Sequence, residues 1–314
     1  MTIDVSEVKR RLQALLNDQS LVDEYLRQFG PSSGNQNAKS ALAPRREEED
    51  PIYEIKLTCP VCSKKGIVSY ELKSKSQTIV LNKFLVPIYT GRPGFKTVDY
   101  TLLAPIVCPQ CLFASPDKRD FGRGSESDQT KNQIPENVIT NLQKSINKRK
   151  KLLKPETDPI TCFKRPRSAA AAIDGYNLSL ARAKVEACFN LPYAQFKMGA
   201  YCLRIAKILR DGGHNNTEIL NNAIKFFEEA FRISNCPSEE FEMQTVYLLV
   251  ALNLKIGNQK KASSYLNVFQ NLQSQRLLEM EEDPSLNCNT INKWRDRARY
   301  LWEDRDDPEL FKDE

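Results

Sequence analysis

The chain of 314 residues has a single histidine, only two tryptophans and no apolar run of membrane length. The one histidine, His214, follows Gly212-Gly213 in a turn signal, so H-E-x-x-H is excluded and no plausible Cys-His pairing exists. A Gly-rich phosphate loop and a serine elbow are also missing, and the adjacent carboxylates Glu228-Glu229 and Glu239-Glu240 read as solvated helix faces. No catalytic residue and no small-molecule substrate is therefore expected. No stretch of about 18 apolar residues occurs, and MTIDVSEVKRRLQALLNDQ has no signal-type apolar core. The expectation is a soluble protein with no membrane partner. Nine cysteines, an odd number, include five without paired spacing (Cys162, Cys188, Cys202, Cys236 and Cys288), which does not describe a secreted disulfide framework. A reducing cytoplasm fits better. Charge of one sign is also scarce, since 46 basic against 40 acidic residues leave +6 and make no demand for a polyanionic partner.

The remaining four cysteines form two knuckles, Thr58-Cys59-Pro60-Val61-Cys62 and Val107-Cys108-Pro109-Gln110-Cys111, each ending an extended run. A C-x2-C turn presents two thiolates to one side, so the pair predicts one structural Zn²⁺ held by Cys59, Cys62, Cys108 and Cys111, with no open position for water. The spacing departs from a compact ribbon: 45 residues separate Cys62 from Cys108, where about 15 to 20 are usual. Extra strands must fill the gap. A redox pair is the rival reading, but such a motif opens a helix, whereas these are duplicated strand-end turns containing proline. The other rival is two unrelated turns with free thiols.

Along the chain the expected organisation is a helical hairpin over 1–29, a flexible linker over 30–50, an expanded zinc ribbon over 51–116, a basic linker with a helix over 117–168, a tetratricopeptide-like array over 169–305 and an acidic tail over 306–314. The class is α+β, a small β-rich ribbon followed by an all-α array of helical hairpins. Extended runs are predicted at Ile52 to Thr58, Gly66 to Lys73, Thr78 to Val86 and Tyr100 to Val107. One helix is predicted over 135–154, and six over about 174–190, 192–211, 216–234, 238–256, 259–275 and 289–304. Met198-Gly199 with Ala223-x3-Phe227-x2-Ala230, and Val246-x2-Leu249-Val250 with Ala262-x3-Leu266-x2-Phe269, carry the large and small alternation of stacked helix pairs.

In Cys59-Pro60-Val61-Cys62, in Pro87-Ile88-Tyr89-x-Gly91-x-Pro93, in Cys108-Pro109-Gln110-Cys111 with Phe113-Ala114, and in the helix pairs that follow, residues 51–275 resemble a bacterial family known only as a domain of unknown function. The resemblance implies architecture and supplies no activity. Family members often carry Gly after each knuckle, where this chain has Ser63 and Leu112.

The leading expectation is a non-catalytic, zinc-stabilised adaptor that binds a protein or peptide in a helical groove, with Gln244, Tyr247 and Lys255 facing it. The alternative is nucleic-acid binding through the ribbon and the basic run, by Lys148, Arg149, Lys150, Lys151, Lys164, Arg165 and Arg167. Only Phe163 interleaves that run, so charge alone carries the alternative.

Overall fold

The computed structural model describes residues 48–122, 134–234 and 236–312. The hairpin expected over 1–29, most of the 30–50 linker, residues 123–133 of the basic stretch, and Asp313 and Glu314 lie outside the described residues.

Three antiparallel hairpins come first. β1 (Ile52–Leu57) pairs with β2 (Ile67–Leu72), with Ile52 opposite Leu72 and Leu57 opposite Ile67. β3 (Gln77–Leu81) pairs with β4 (Pro87–Gly91), and the two-residue strands β5 (Ile106–Val107) and β6 (Ala114–Ser115) pair with each other. The run predicted over Thr78 to Val86 stops early. The Asn82 side chain accepts the amides of Phe84 at 3.1 Å and Val86 at 2.8 Å, turning the chain so that β4 returns alongside β3. The run predicted over Tyr100 to Val107 is also broken. The Asp99 carboxylate accepts the Thr101 amide at 2.9 Å and starts a 3₁₀ turn over Tyr100–Leu102, leaving only Ile106–Val107 extended.

Helices dominate the rest. α1 (Glu136–Lys144) and α2 (Ile146–Lys150) replace the single predicted helix, which breaks at Ser145, where the hydroxyl bonds back to the Asn141 carbonyl at 2.7 Å. Six longer helices follow: α3 (Ala169–Cys188), α4 (Ala194–Asp211), α5 (Thr217–Arg232), α6 (Glu239–Lys255), α7 (Gln259–Glu282) and α8 (Asn289–Glu303). Ser168 caps α3 by accepting the Ala171 amide, and Gly213 and Gly257, both at positive φ, close α4 and α6. Each of these six packs on its neighbour in sequence, and α8 folds back onto both α6 and α7. The fold is α+β with helices in the majority.

The array core is built from the positions the pattern singled out. Ala223, Phe227, Leu249, Ala262 and Phe269 are fully buried. At Gly199 a Cβ would fall 2.6 to 2.8 Å from the Phe227 ring, so α4 and α5 approach closely only because that residue is glycine.

The described part of the stretch expected as a basic linker with a helix is packed against the rest. From α1, Val138 and Leu142 enter the core around Leu57, Cys59, Cys108 and Phe113, and from α3, Leu178 packs with Val107, Leu112 and Phe163. Beneath this seam Arg182 of α3 is buried between Asp120 and Glu186, with its guanidinium 4.8 Å above the Phe113 ring. Ribbon and array therefore share their interior, within one compact unit, Glu47–Glu314. No helix among the described residues is long and apolar enough to cross a membrane.

Candidate metal centre and interface groove

The first knuckle is the turn between β1 and β2, the second the turn between β5 and β6. Both turns use the same two backbone bonds. The amides of Cys59 and Cys108 donate to the carbonyls of Lys64 (2.9 Å) and Phe113 (2.8 Å), while Ser63 and Leu112 donate back to Cys59 (3.0 Å) and Cys108 (2.9 Å). The closing residues, Ser63 and Leu112, both take φ of 57°, the left-handed region that favours glycine. The departure from the family's glycines is thus accommodated without altering either turn.

Four sulfurs converge, all within 4.8 Å of one another, with Cys59 to Cys111 and Cys62 to Cys108 each at 3.5 Å. Thiolates at about 2.3 Å around one tetrahedral ion stand about 3.8 Å apart. The donor set therefore fits a single metal ion with four sulfur ligands. Three of the cysteines are buried and Cys62 is partly exposed. Hydrogen bonds from Cys111 and Cys59, with backbone amides of Cys111 and Gln110, hold the Cys108 thiol far below its ordinary value, while the same network and burial push Cys59 up. Four thiolates gathered this closely repel one another, and a cation among them is what would let them ionise together.

The helical pair grips both knuckles. Gln143 donates to the Val61 carbonyl at 2.8 Å, and Arg149 donates to the Cys111 carbonyl at 2.8 Å, the Leu142 carbonyl at 2.7 Å and the Ser145 hydroxyl at 2.8 Å. Arg149 is only 2% exposed and its hydrogen bonds go to neutral acceptors, so burial lowers its pKa while the neighbouring sulfurs oppose that. It is the cation nearest in chemistry to what a tetrathiolate site needs, a positive charge set behind the ligand backbone.

A model of the family described as uncharacterised proteins conserved in bacteria (DUF2225) matches residues 52–284, from β1 through both knuckles to the loop after α7. This chain is a member of the DUF2225 family. No curated protein and no solved structure matches it. The match spans both DUF2225 elements seen here, the cysteine knuckles and the helix pairs.

The basic residues named from the sequence separate into two groups. Lys148, Lys150, Lys151 and Lys164 are exposed, and Arg165 pairs with Asp50 at 2.9 Å. Arg149 and Arg167 are interior. Arg167 donates to the carbonyls of Pro105 at 2.7 Å and Phe163 at 3.0 Å, and burial lowers its pKa. Neither can reach a phosphate backbone. For Arg149 a signal existed, since Val138, Leu142 and Arg149 fall on one helical face.

On the far side of the ribbon runs a groove of about 1190 Å³, walled by the β3–β4 turn and the Pro116–Asp120 segment on one side and by α4, α6 and α8 on the other. Gln244 lines it. Tyr247 does not reach the surface: it is 2% exposed, with Trp294 at 5.2 Å and the Arg297 guanidinium at 5.3 Å from its ring. Lys255 is turned to the chain's end, donating to the Phe311 carbonyl at 2.7 Å. The sequence reading missed Phe84, Arg204 and Arg297, which come together from segments far apart in the chain.

Proposed function

We propose that this DUF2225 member is a zinc-stabilised, non-catalytic adaptor of the cytoplasm, which holds a segment of a partner protein in the groove between ribbon and helices. The groove carries the reading. At about 1190 Å³ it exceeds the roughly 300–1,000 Å³ of small-molecule sites, and partly exposed aromatic rings, Tyr193 and Phe241, lie along it. Exposed aromatics in a concave surface are what protein partners anchor on. The helix pairs are read as tetratricopeptide-like, a repeat whose stacked hairpins form such concave surfaces.

Zinc is the proposed ion because soft, tetrahedral four-sulfur sets select it, with iron as the competitor. Cys59, Cys62, Cys108 and Cys111 would fill its shell and leave no position for water. The metal supplies folding energy, and the residues around it hold the two knuckles in register. The nucleic-acid reading is weaker, since two of the seven basic residues it relied on are interior.

The test uses the full chain and Gln244→Trp, which fills the groove from a half-buried position on α6. Metal analysis should return about one zinc per chain. Affinity capture from host lysate should recover specific proteins with the wild type and lose them with Gln244→Trp at unchanged melting temperature. Identical capture by both chains, or a preparation without zinc, would overturn the corresponding half of the proposal.

A further inference from the structure

The groove contains six cations, four of which already have a carboxylate. Lys118 meets Glu71 at 2.5 Å, Arg119 meets Asp117 at 2.7 Å, Lys197 meets Glu186 at 3.0 Å and Lys293 meets Glu240 at 2.7 Å. Arg204 and Arg297 differ. Arg204 uses one N–H, on the Ala200 carbonyl of its own helix at 3.0 Å, and no carboxylate among the described residues lies within ion-pair distance. Tyr89 and Tyr193 stand near it: burial raises both phenols to about 12, and Arg204 opposes the rise at each, joined by Arg119 at Tyr193. Arg297 lies over Trp294 at 4.7 Å and Tyr247 at 5.3 Å from the ring centroids, and its guanidinium has no hydrogen-bond acceptor or ion-pair partner among the described residues.

A third donor points the same way. Trp294 is 3% exposed and lines the groove, and among the described residues its indole N–H has no acceptor in full hydrogen-bonding geometry. It reaches toward Glu240 only loosely, a carboxyl that against the cost of burial is held below its ordinary value first by Lys293 and Gln244 and then by this indole. Natural interiors rarely leave a donor so weakly met, and a ligand acceptor would complete its hydrogen bond.

We propose that the groove is a docking site for an acidic peptide segment of a partner protein, with Arg204 and Arg297 each taking a carboxylate and an aromatic or leucine side chain seated among Tyr193, Phe196 and Phe241. The planar guanidinium fork matches a carboxylate with two parallel hydrogen bonds, and neither fork is neutralised in advance. The three rings form a contiguous cluster, with centroids 4.7 to 5.3 Å apart, which offers an apolar seat beside Arg204's helix. A nucleic acid is disfavoured by the same surface. A phosphate backbone needs a row of cations, and among the described lining residues only Arg204 and Arg297 are not already paired with a carboxylate, enough for a peptide's one or two acids but not for a run of phosphates.

This proposal rests on the adaptor reading and names what the groove selects. Selection from a displayed library of random dodecapeptides against the full chain should enrich sequences carrying Asp or Glu beside Phe, Tyr, Trp or Leu. Fluorescence anisotropy with an enriched peptide should show affinity falling about tenfold or more in Arg204→Gln and in Arg297→Gln, and on exchanging its acids for Asn or Gln. Lys150→Gln, on the ribbon's far helix, should change nothing. Enrichment without an acidic excess, no enrichment at all, or affinity indifferent to both arginines would overturn the proposal. If lysate partners are lost with Gln244→Trp but kept by both arginine variants, the adaptor reading stands and the acidic preference fails. A ten-nucleotide single-stranded probe bound tighter than the peptide, and lost in the same variants, would replace it with nucleic-acid binding.

Discussion

Replacing Gly199 by alanine tests the packing that shapes the groove floor. A Cβ at that position lies 2.6, 2.7 and 2.8 Å from three carbons of the Phe227 ring, against the 3.4 Å or more of ordinary contact. The ring cannot retreat, because Phe227 is wholly buried and meets Phe196 edge-on at 5.4 Å. Overpacking of this kind costs about 1–3 kcal/mol. Alanine in a helix interior returns about 1 kcal/mol relative to glycine. The net expectation is a loss of about 0–2 kcal/mol, or up to a few degrees in melting temperature for a unit of this size. Urea melts of the four combinations of Gly199→Ala with Phe227→Leu give the decisive comparison. In the leucine background the overlapping ring carbons are gone, so the alanine should be neutral or stabilising. Equal cost in both backgrounds would refute the close-approach argument. Because Phe196, Ala200 and Arg204 ride on the same helix, Gly199→Ala should also weaken peptide binding more than it weakens the fold.

Other perturbations have calculable signs. Arg149→Met strands the carbonyls of Cys111 and Leu142 and removes the charge behind the knuckle, so zinc affinity measured by chelator competition should fall about 10- to 100-fold, while Lys150→Met should leave it unchanged. Ser63→Gly, at an exposed left-handed position, should raise stability by about 1 kcal/mol, whereas Leu112→Gly should lower it, since that leucine is 1% exposed and its burial outweighs the same relief of strain. Acid sensitivity should depend on Lys207, which donates to Asp99 at 2.6 Å and Asp211 at 2.7 Å. Burial pushes the Asp211 carboxyl up, but Lys207 and Arg210 prevail and hold it below its ordinary 3.8. A depressed carboxyl contributes stability above its unfolded pKa and loses it as pH falls through the folded value. Melts between about pH 6 and pH 3 should therefore be less steep in Lys207→Met than in the wild type.

The cysteine knuckles were legible because a metal site writes itself as spacing, and the six long helices because Pro192, Gly212-Gly213, Pro237 and Gly257-Asn258 separate them. Position in the interior was harder to read. Arg149 and Arg167 were counted with their exposed neighbours because a tally of charge ignores which face a side chain leaves from, and backbone carbonyls can satisfy a buried guanidinium without any acidic residue to announce it. β4 was hidden by Pro87, which opens the strand where it cannot disturb pairing. Tyr247 was placed on a groove by its helical position, but α8 folds over that face and covers it with Trp294. The groove itself depends on Phe84, Arg204 and Arg297 lining one surface from segments spread over more than half of the chain, which no local pattern encodes.

The seam along α3 bears on how such chains can change over time. A fragment beginning at Ala169 would carry Leu178 and Arg182 to its surface, both buried here against residues of the ribbon side, and would leave the Tyr176 hydroxyl without the Thr101 carbonyl it donates to. Gly175 sharpens the point, since a Cβ there would lie 2.7 Å from Pro105 and force the halves apart. Neither half is then a module that recombination could transplant alone. A lineage that lost its cysteines would have to rebuild the face of α3 as well, so the knuckles and the helix pairs are expected to be inherited, or discarded, together.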